Sequence, residues 1–165
     1  MIKVNTCHIG DEPLFFDGTE TRDILDLNAA PEAPEMTAVS DITYQLYASK
    51  TGQDLLVNGS ATFDLETTCA RCMKKIIIPV TASKMCLFHE NVPEQEVDLT
   101  DEVREELLLA LPDYIYCAED CQGLCPKCGA NLNDGDCGCA DNGDEPPVAP
   151  EDSPWSVLDQ LKTDK

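Results

Sequence analysis

Cysteine is the residue in this chain with the clearest capacity for chemistry: ten occur in 165 residues, and six of these fall within the run CAEDCQGLCPKCGANLNDGDCGC. Clustered thiols in a reducing cytosol bind metal more often than they form disulfides, and zinc is the usual ion for such a set. The run therefore predicts a zinc site. Its cysteines are Cys117, Cys121, Cys125, Cys128, Cys137 and Cys139.

The sequence CPKCG at 125–129 has the form of a zinc-binding turn. Four sulfurs around tetrahedral zinc lie about 3.8 Å apart, and a Cys-x-x-Cys turn supplies two of them from one bend. Pro126 stiffens the turn, and Gly129 can adopt a left-handed conformation that directs N–H groups at the thiolates. Gly138 lets its two flanking cysteines converge. The first predicted site is formed by Cys125, Cys128, Cys137 and Cys139.

The cysteine count allows a second site. Cys7 and Cys86 stand alone in strand-like sequence, and we expect them to be small buried hydrophobic side chains. Eight cysteines remain, which is the number that two four-cysteine sites require. One zinc ion is thus expected, and a second follows if the remaining four cysteines converge, although spacing alone does not fix the pairing. Those four are Cys69, Cys72, Cys117 and Cys121.

Catalytic use of the cysteines is disfavoured. A catalytic zinc keeps an open coordination position and usually recruits His or Glu, but the two histidines, His8 and His89, lie outside the cysteine clusters. Neither Cys-x-x-Cys pair precedes a convincing helix, as the pair of a thioredoxin-like protein would. We therefore predict a protein without enzyme activity. A thiol redox or metal-sensing protein is the alternative from another class.

The net charge of -21 is unevenly distributed. Residues 1–88 carry 12 acidic and 7 basic side chains, whereas residues 89–165 carry 20 and 4. Such an acidic half repels phosphate and favours basic partners. The rival prediction is direct contact with RNA near the first cysteine pair, where the basic residues concentrate. These are Arg71, Lys74, Lys75 and Lys84.

Alternating apolar residues predict strands over most of residues 1–88. Thr51-Gly52 and Asn58-Gly59 predict tight turns between them, and Pro79 predicts an edge strand or a bulge. A helix is predicted from about Thr100 to Leu111, with Thr100 and Asp101 at its start. The sequence thus predicts an α+β fold in which an antiparallel sheet, open or barrel-like, packs with one main helix and is followed by a zinc-held segment.

Four parts follow from composition. A β-rich core with its packing helix spans 1–112, a cysteine-rich zinc-binding segment spans 113–140, an acidic proline-rich linker spans 141–154, and a short terminal docking helix spans 155–165. No stretch approaches the roughly 20 apolar residues of a membrane span, and the N-terminus lacks the pattern of a secretory signal. We therefore expect a cytoplasmic protein with neither a membrane nor a small-molecule substrate as partner.

The ordered motifs resemble those of the YceD family, whose members are described as large ribosomal RNA subunit accumulation proteins. The resemblance is carried by CARC at 69–72, EELLLALP at 105–112, CxxxCxGLCPxCGxNLN at 117–133 and SPWSVLDQLK at 153–162. It spans most of the chain, from about Ser40 to Leu161, and any one of these pieces alone would be unspecific.

The resemblance implies a bacterial or plastid protein needed for normal levels of large-subunit ribosomal RNA, with no known catalytic activity. It supplies no mechanism. In that setting, the acidic C-terminal half predicts binding of a basic ribosomal protein or a ribosome maturation factor. The basic residues near the first cysteine pair predict contact with precursor ribosomal RNA as the alternative. We expect zinc to act as a staple of the fold.

Overall fold

A computed structural model describes residues 1–10, 12–27, 36–92 and 95–139 of the protein. The predicted linker and terminal helix, from 141 to 165, lie outside the described residues. Within the described part, seven strands and one α-helix are formed. The strands are β1 Lys3–Asn5, β2 Leu14–Glu20, β3 Thr37–Ala38, β4 Ile42–Thr51, β5 Asp54–Thr68, β6 Lys75–His89 and β7 Glu96–Asp98, and the helix is α1 Thr100–Leu109.

The larger sheet is antiparallel and open in the described residues. β2 pairs with β4, β4 with β5, and β5 with β6, while the two residues of β3 extend the β4 side of β5. β1 and β7 form a separate two-stranded ribbon. The α+β prediction is confirmed, but the barrel-like alternative is not, because β2 and β6 lie at opposite edges of the larger sheet and do not pair with each other.

One face of the larger sheet carries the core. Leu46, Leu55 and Phe63 are among its fully buried side chains, and Val103 and Leu107 of α1 join the same apolar cluster. The predicted helix is thus present, although it ends at Leu109 rather than at Leu111, and it buries Val103 and Leu107. The ribbon fixes the start of α1, because Leu99 donates its backbone N–H to the carbonyl oxygen of Ile2 at 2.8 Å.

The predicted turn at Thr51-Gly52 is confirmed as the hairpin between β4 and β5, but the turn predicted at Asn58-Gly59 is wrong. Both residues lie inside β5, where Asn58 pairs with Tyr47 and Gly59 with Leu46. The glycine serves a different purpose, since a Cβ at this position would collide with the carbonyl oxygen of Gln45 on the neighbouring strand. Here Gly59 allows close strand approach rather than chain reversal.

A β-bulge changes which side chains of β6 face the core. Gly59 pairs with Met85 and Ala61 with Ala82, so Ser83 and Lys84 stand opposite Ser60 alone. Buried positions fall on even numbers up to Ala82 and on odd numbers from Met85 onward.

Cys86 consequently points to the outer face, and the prediction that it is buried is wrong. The same prediction is wrong for Cys7, which is exposed in the 3-10 turn Thr6–His8. Pro79 lies in β6, an edge strand of the larger sheet, as predicted. The outer face also exposes Phe15 and Tyr47, whose ring centroids are 5.0 Å apart. Within the described ranges, no helix is both long and apolar enough to cross a membrane.

Candidate metal centres

The first cysteine pair lies in the tight turn that joins the two longest strands, β5 and β6. Cys69 donates its backbone N–H to the carbonyl oxygen of Lys74 at 2.8 Å, and Met73 donates to the carbonyl oxygen of Cys69 at 3.0 Å. Met73 adopts a left-handed backbone with φ of 59°, which closes the turn. Both thiols of the pair are thereby held at the same tip of the sheet.

The chain returns to this tip after α1. Ala70 donates its N–H to the carbonyl oxygen of Ile115 at 2.8 Å, and Ile115 is buried in the core. The guanidinium of Arg71 donates to the carbonyl oxygen of Cys121 at 3.0 Å and lies 4.6 Å from the ring centroid of Tyr116. These contacts bring Cys117 and Cys121 to the hairpin that carries Cys69 and Cys72.

Four sulfurs converge there in a group that we call site 1. The Cys69 and Cys121 sulfurs are 3.8 Å apart and the Cys72 and Cys117 sulfurs are 3.6 Å apart. All four sulfurs lie within 4.8 Å of one another, and thiolates bound to one tetrahedral zinc ion are separated by about 3.8 Å. Site 1 could therefore hold a metal ion. Its residues are Cys69, Cys72, Cys117 and Cys121.

Site 1 is mostly buried and prepares a thiolate. The exposed fractions of Cys69, Cys72 and Cys121 are 0%, 5% and 4%, and Cys117 is the most exposed of the four. Burial favours the neutral thiol of Cys69, but backbone N–H groups of Cys72, Arg71 and Cys117 favour the thiolate and lower its pKa to about 6. The Cys117 thiol donates to the sulfurs of Cys121 and Cys72, which raises its pKa to about 12. A cation can replace these shared protons.

The second cysteine group is built within a short stretch of chain. Cys125 donates its backbone N–H to the carbonyl oxygen of Ala130, and Gly129 donates back to the carbonyl oxygen of Cys125, both at 2.8 Å. Leu124 and Asn131 form a bridge of antiparallel type beside this turn. Gly129 has a φ of 74°, the left-handed conformation that its sequence position predicts.

The four sulfurs of this group, which we call site 2, also lie within 4.8 Å of one another. Gly138, with φ of 68°, separates the last two cysteines and lets both side chains turn to the same point. Site 2 could also hold a metal ion, but it is more open than site 1, since Cys125 alone is buried and Cys128 is exposed. Its residues are Cys125, Cys128, Cys137 and Cys139.

The sulfurs of site 2 share protons in the same way as those of site 1. Backbone N–H groups of Cys128 and Lys127 stabilise the Cys125 thiolate and lower its pKa to about 6. The Cys139 thiol donates to the sulfurs of Cys128 and Cys137, which raises its pKa to about 12. Each site therefore offers a cation at least one ready thiolate at neutral pH.

One polar residue that sequence reasoning missed connects the two sites. Asn133 donates its amide to the sulfur of Cys121 at 3.4 Å, and its amide oxygen accepts the N–H of Gln122 at 2.9 Å. Burial opposes the thiolate of Cys121, but the Asn133 amide leads the interactions that lower its pKa. The asparagine belongs to the loop of site 2 and contacts a ligand of site 1. Its only sequence signal was the NLN that follows the second cysteine pair.

The basic residues proposed for RNA contact do not form one patch. Arg71 is engaged with Cys121 and Tyr116, and the Lys75 ammonium lies 3.5 Å from a carboxylate oxygen of Glu66. Lys74 is exposed beside them. Lys84 lies nine residues farther along β6, about 30 Å from Lys75 at the usual rise of a strand.

The two histidines stay away from both cysteine groups. His8 ends the exposed 3-10 turn after β1, whereas His89 ends β6, where its Nε2 lies 3.8 Å from a carboxylate oxygen of Glu102. Neither residue belongs to a metal-ligating group of the described residues.

Comparison with known proteins supports the resemblance drawn from the motifs. The profile of the family described as large ribosomal RNA subunit accumulation protein YceD matches residues 88–162. A curated relative, an uncharacterized protein of Mycobacterium leprae (strain TN), is 26% identical over 106 residues, which cover 55% of this chain and 49% of the relative. The chain thus spans about half the length of the curated relative it matches. No solved structure matches the chain.

Proposed function

We propose that this protein is a non-catalytic, cytoplasmic accessory factor that supports accumulation of large-subunit ribosomal RNA during ribosome production. The observation that carries the proposal is the match of residues 88–162 to the YceD family. That range contains α1, two cysteines of site 1 and all of site 2, so the resemblance includes much of the metal-binding architecture.

Both sites are proposed to hold zinc in a structural role. Eight thiolates and no histidine or carboxylate form a soft donor set, and four-coordinate sulfur sites are typical of structural zinc. Four cysteine ligands leave no open position for a substrate or a reactive water, which supports a function without catalysis. Bound zinc supplies cross-links between segments of the chain. Cys69, Cys72, Cys117 and Cys121 would hold one ion, and Cys125, Cys128, Cys137 and Cys139 the other.

The proposed partner is a basic protein, either a ribosomal protein or a ribosome maturation factor. The described residues from 89 onward include twelve acidic side chains and two basic ones, Arg104 and Lys127. Asp101 and Glu105 of α1 are exposed, as are most of the other acidic residues in this range. Opposite charge hastens association with a basic surface, and salt weakens the attraction.

Direct RNA binding is the weaker proposal. Arg71 and Lys75 already contact groups of this protein, and Lys84 is distant from them. The remaining positive charge is too small to overcome the repulsion between phosphates and a chain of net charge -21.

Two measurements test the proposal. Cells that lack the protein should contain less large-subunit ribosomal RNA relative to small-subunit RNA, and restoring the gene should correct the ratio. An unchanged ratio would contradict the proposed role.

Binding of purified large-subunit ribosomal proteins and of ribosomal RNA should then be compared at low and high salt. The double variant Asp101→Lys/Glu105→Lys should weaken binding of a basic protein partner. The matched control Asp17→Lys/Asp64→Lys makes the same charge change at exposed positions of the outer sheet face and should bind more tightly than the helix variant. Binding of RNA but of no ribosomal protein would overturn the choice of partner.

A further inference from the structure

In the described residues, the Asn133 side chain joins the two candidate metal centres in addition to the peptide backbone. Cys121 of site 1 and Cys125 of site 2 are separated by three residues in sequence. Asn133 provides the second connection, through its amide contacts with Cys121 and Gln122.

The position of Asn133 depends on the loop that site 2 closes. This residue lies between Cys128 and Cys137, in the 3-10 turn Leu132–Asp134. Asn131 fixes its orientation, since the Asn131 side-chain oxygen accepts the Asn133 backbone N–H at 3.1 Å and its amide at 2.7 Å. Leu132 also donates its N–H to the carbonyl oxygen of Gly123 at 2.9 Å, which holds the loop against the chain between the sites.

A hydrogen bond from an amide stabilises a metal-bound thiolate and orients its sulfur. Ordering the loop that carries this amide costs conformational entropy. An ion at site 2 ties the ends of the loop together, so the loop is already largely ordered and less entropy is lost when the Asn133 amide contacts Cys121. The contact therefore forms more readily when site 2 is filled. By linkage, the effect must also operate in the reverse direction.

We propose that Asn133 is a positioning residue that couples the two metal centres, so that zinc at site 2 slows release of zinc from site 1. The inference rests on the proposed occupancy of both sites by zinc. Asn133 acts on the ion through Cys121 and is not itself a ligand.

The test is the rate at which zinc leaves each site of the purified full-length protein, followed as exchange with a second zinc isotope in excess, so that site 2 stays filled while site 1 releases its ion. The double variant Cys137→Ser/Cys139→Ser empties site 2 and leaves one ion, which reports site 1. Its release should be faster than the slow phase of the wild type by about 10- to 100-fold, the usual effect of losing an outer hydrogen bond to a metal ligand.

Asn133→Asp retains the oxygen that accepts from Gln122 but replaces the amide donor with a carboxylate. It should accelerate release from site 1 to a similar extent, and emptying site 2 in this background should add little. Asn58→Asp is the matched control, because it makes the same substitution at an exposed position of β5 far from either site. It should leave both release phases unchanged.

Three results would overturn the coupling. Site 1 could release zinc at the same rate in the Asn133→Asp and Asn58→Asp variants, or at the same rate with site 2 filled and emptied. Emptying site 2 could also accelerate release equally with Asn133 and with its aspartate variant, which would assign any coupling to the backbone alone.

Circular dichroism of each variant confirms that the β-rich core is retained. A wild-type protein that contains no zinc would refute the metal assignment in the proposed function. Two ions that leave independently would refute the coupling alone.

Discussion

Both groups consist of four cysteines whose sulfurs lie within 4.8 Å of one another, but they differ in what they connect. Site 1 joins residues that are 45 and 52 positions apart in the chain and lies at the end of the main sheet. Site 2 is closed within fifteen residues, from 125 to 139, and consists mainly of turns. Because the two sites connect different lengths of chain, we expect them to contribute unequally to the stability of the fold, although their ligands are the same.

Loop closure and burial both make site 1 the more important cross-link. An ion that links distant segments removes more conformational freedom from the unfolded chain than one that closes a short loop. Cys69 is fully buried and packs in a cluster with Cys72, Cys121 and Ile76. Site 2 organises its own hairpin, and its contact with the rest of the protein includes Asn133 and the chain around Gly123.

Removing one ligand from each site should give the largest contrast. Cys121→Ser should lower the free energy of unfolding of the core by on the order of 4 kcal/mol or more, because it removes a metal cross-link and leaves a buried polar group. Cys128→Ser should lower the free energy of core unfolding by less, about 1 to 3 kcal/mol, since Cys128 is exposed, its site is local, and its loss reaches the core through weaker zinc binding at site 1. Urea unfolding followed by circular dichroism, together with zinc content, measures both. Equal losses in the two variants would contradict the comparison.

Thiol reagents should distinguish the sites by the order in which zinc is lost. We expect site 2 to release its ion first, because Cys128 is exposed whereas Cys69 is fully buried. The experiment requires a Cys7→Ser/Cys86→Ser background, since both of these thiols are exposed and would react independently of metal. Simultaneous loss of the two ions would show that the sites open together.

The spacing of cysteines in the sequence was enough to predict site 2, but for site 1 it could not determine which cysteines come together. The turn CPKCG and the pair CGC lie close enough in sequence to form a four-cysteine zinc-binding turn by themselves, which we call the knuckle. Site 1 depends on contacts across the molecule, such as the hydrogen bond between Ala70 and Ile115, which no local pattern encodes. Counting eight cysteines made a second group plausible, but pairing it required the hairpin and the return of the chain after α1.

The errors in the predicted fold also arise from contacts between distant parts of the chain that no local pattern encodes. Asn58-Gly59 is a strong local signal for a turn, but its meaning is set by the backbone of Gln45 on the next strand. The bulge at Ser83 and Lys84 shifts the alternation of β6, so Cys86 points outward although the pattern of the first half of the strand would bury it. Helix α1 could be predicted because its period, start and stop are all local.

Arg71 gives a smaller effect that separates its structural role from its proposed RNA contact. Arg71→Ala should reduce the free energy of unfolding by about 1 to 2 kcal/mol, because it removes the hydrogen bond to Cys121 and the contact with Tyr116. Lys74→Ala, the neighbouring exposed control, should change it by less than about 0.5 kcal/mol. Equal effects on stability, with a loss of RNA affinity in both variants, would favour the RNA alternative.

Two left-handed glycines provide the finest comparison between the sites. Gly123 has a φ of 79° and Gly129 a φ of 74°, so alanine at either position strains the backbone. Only at Gly123 would the added Cβ meet a neighbour, the carbonyl oxygen of Arg71 at 3.2 Å, whereas at Gly129 it would meet nothing within 4 Å. Gly123→Ala should therefore cost the core about 0.5 to 1 kcal/mol more than Gly129→Ala. It should also accelerate zinc release from site 1, while Gly129→Ala should act mainly on site 2. If Gly129→Ala weakened site 1 as much as Gly123→Ala does, strain in the knuckle would have to reach the core, and the two sites would form one cooperative unit.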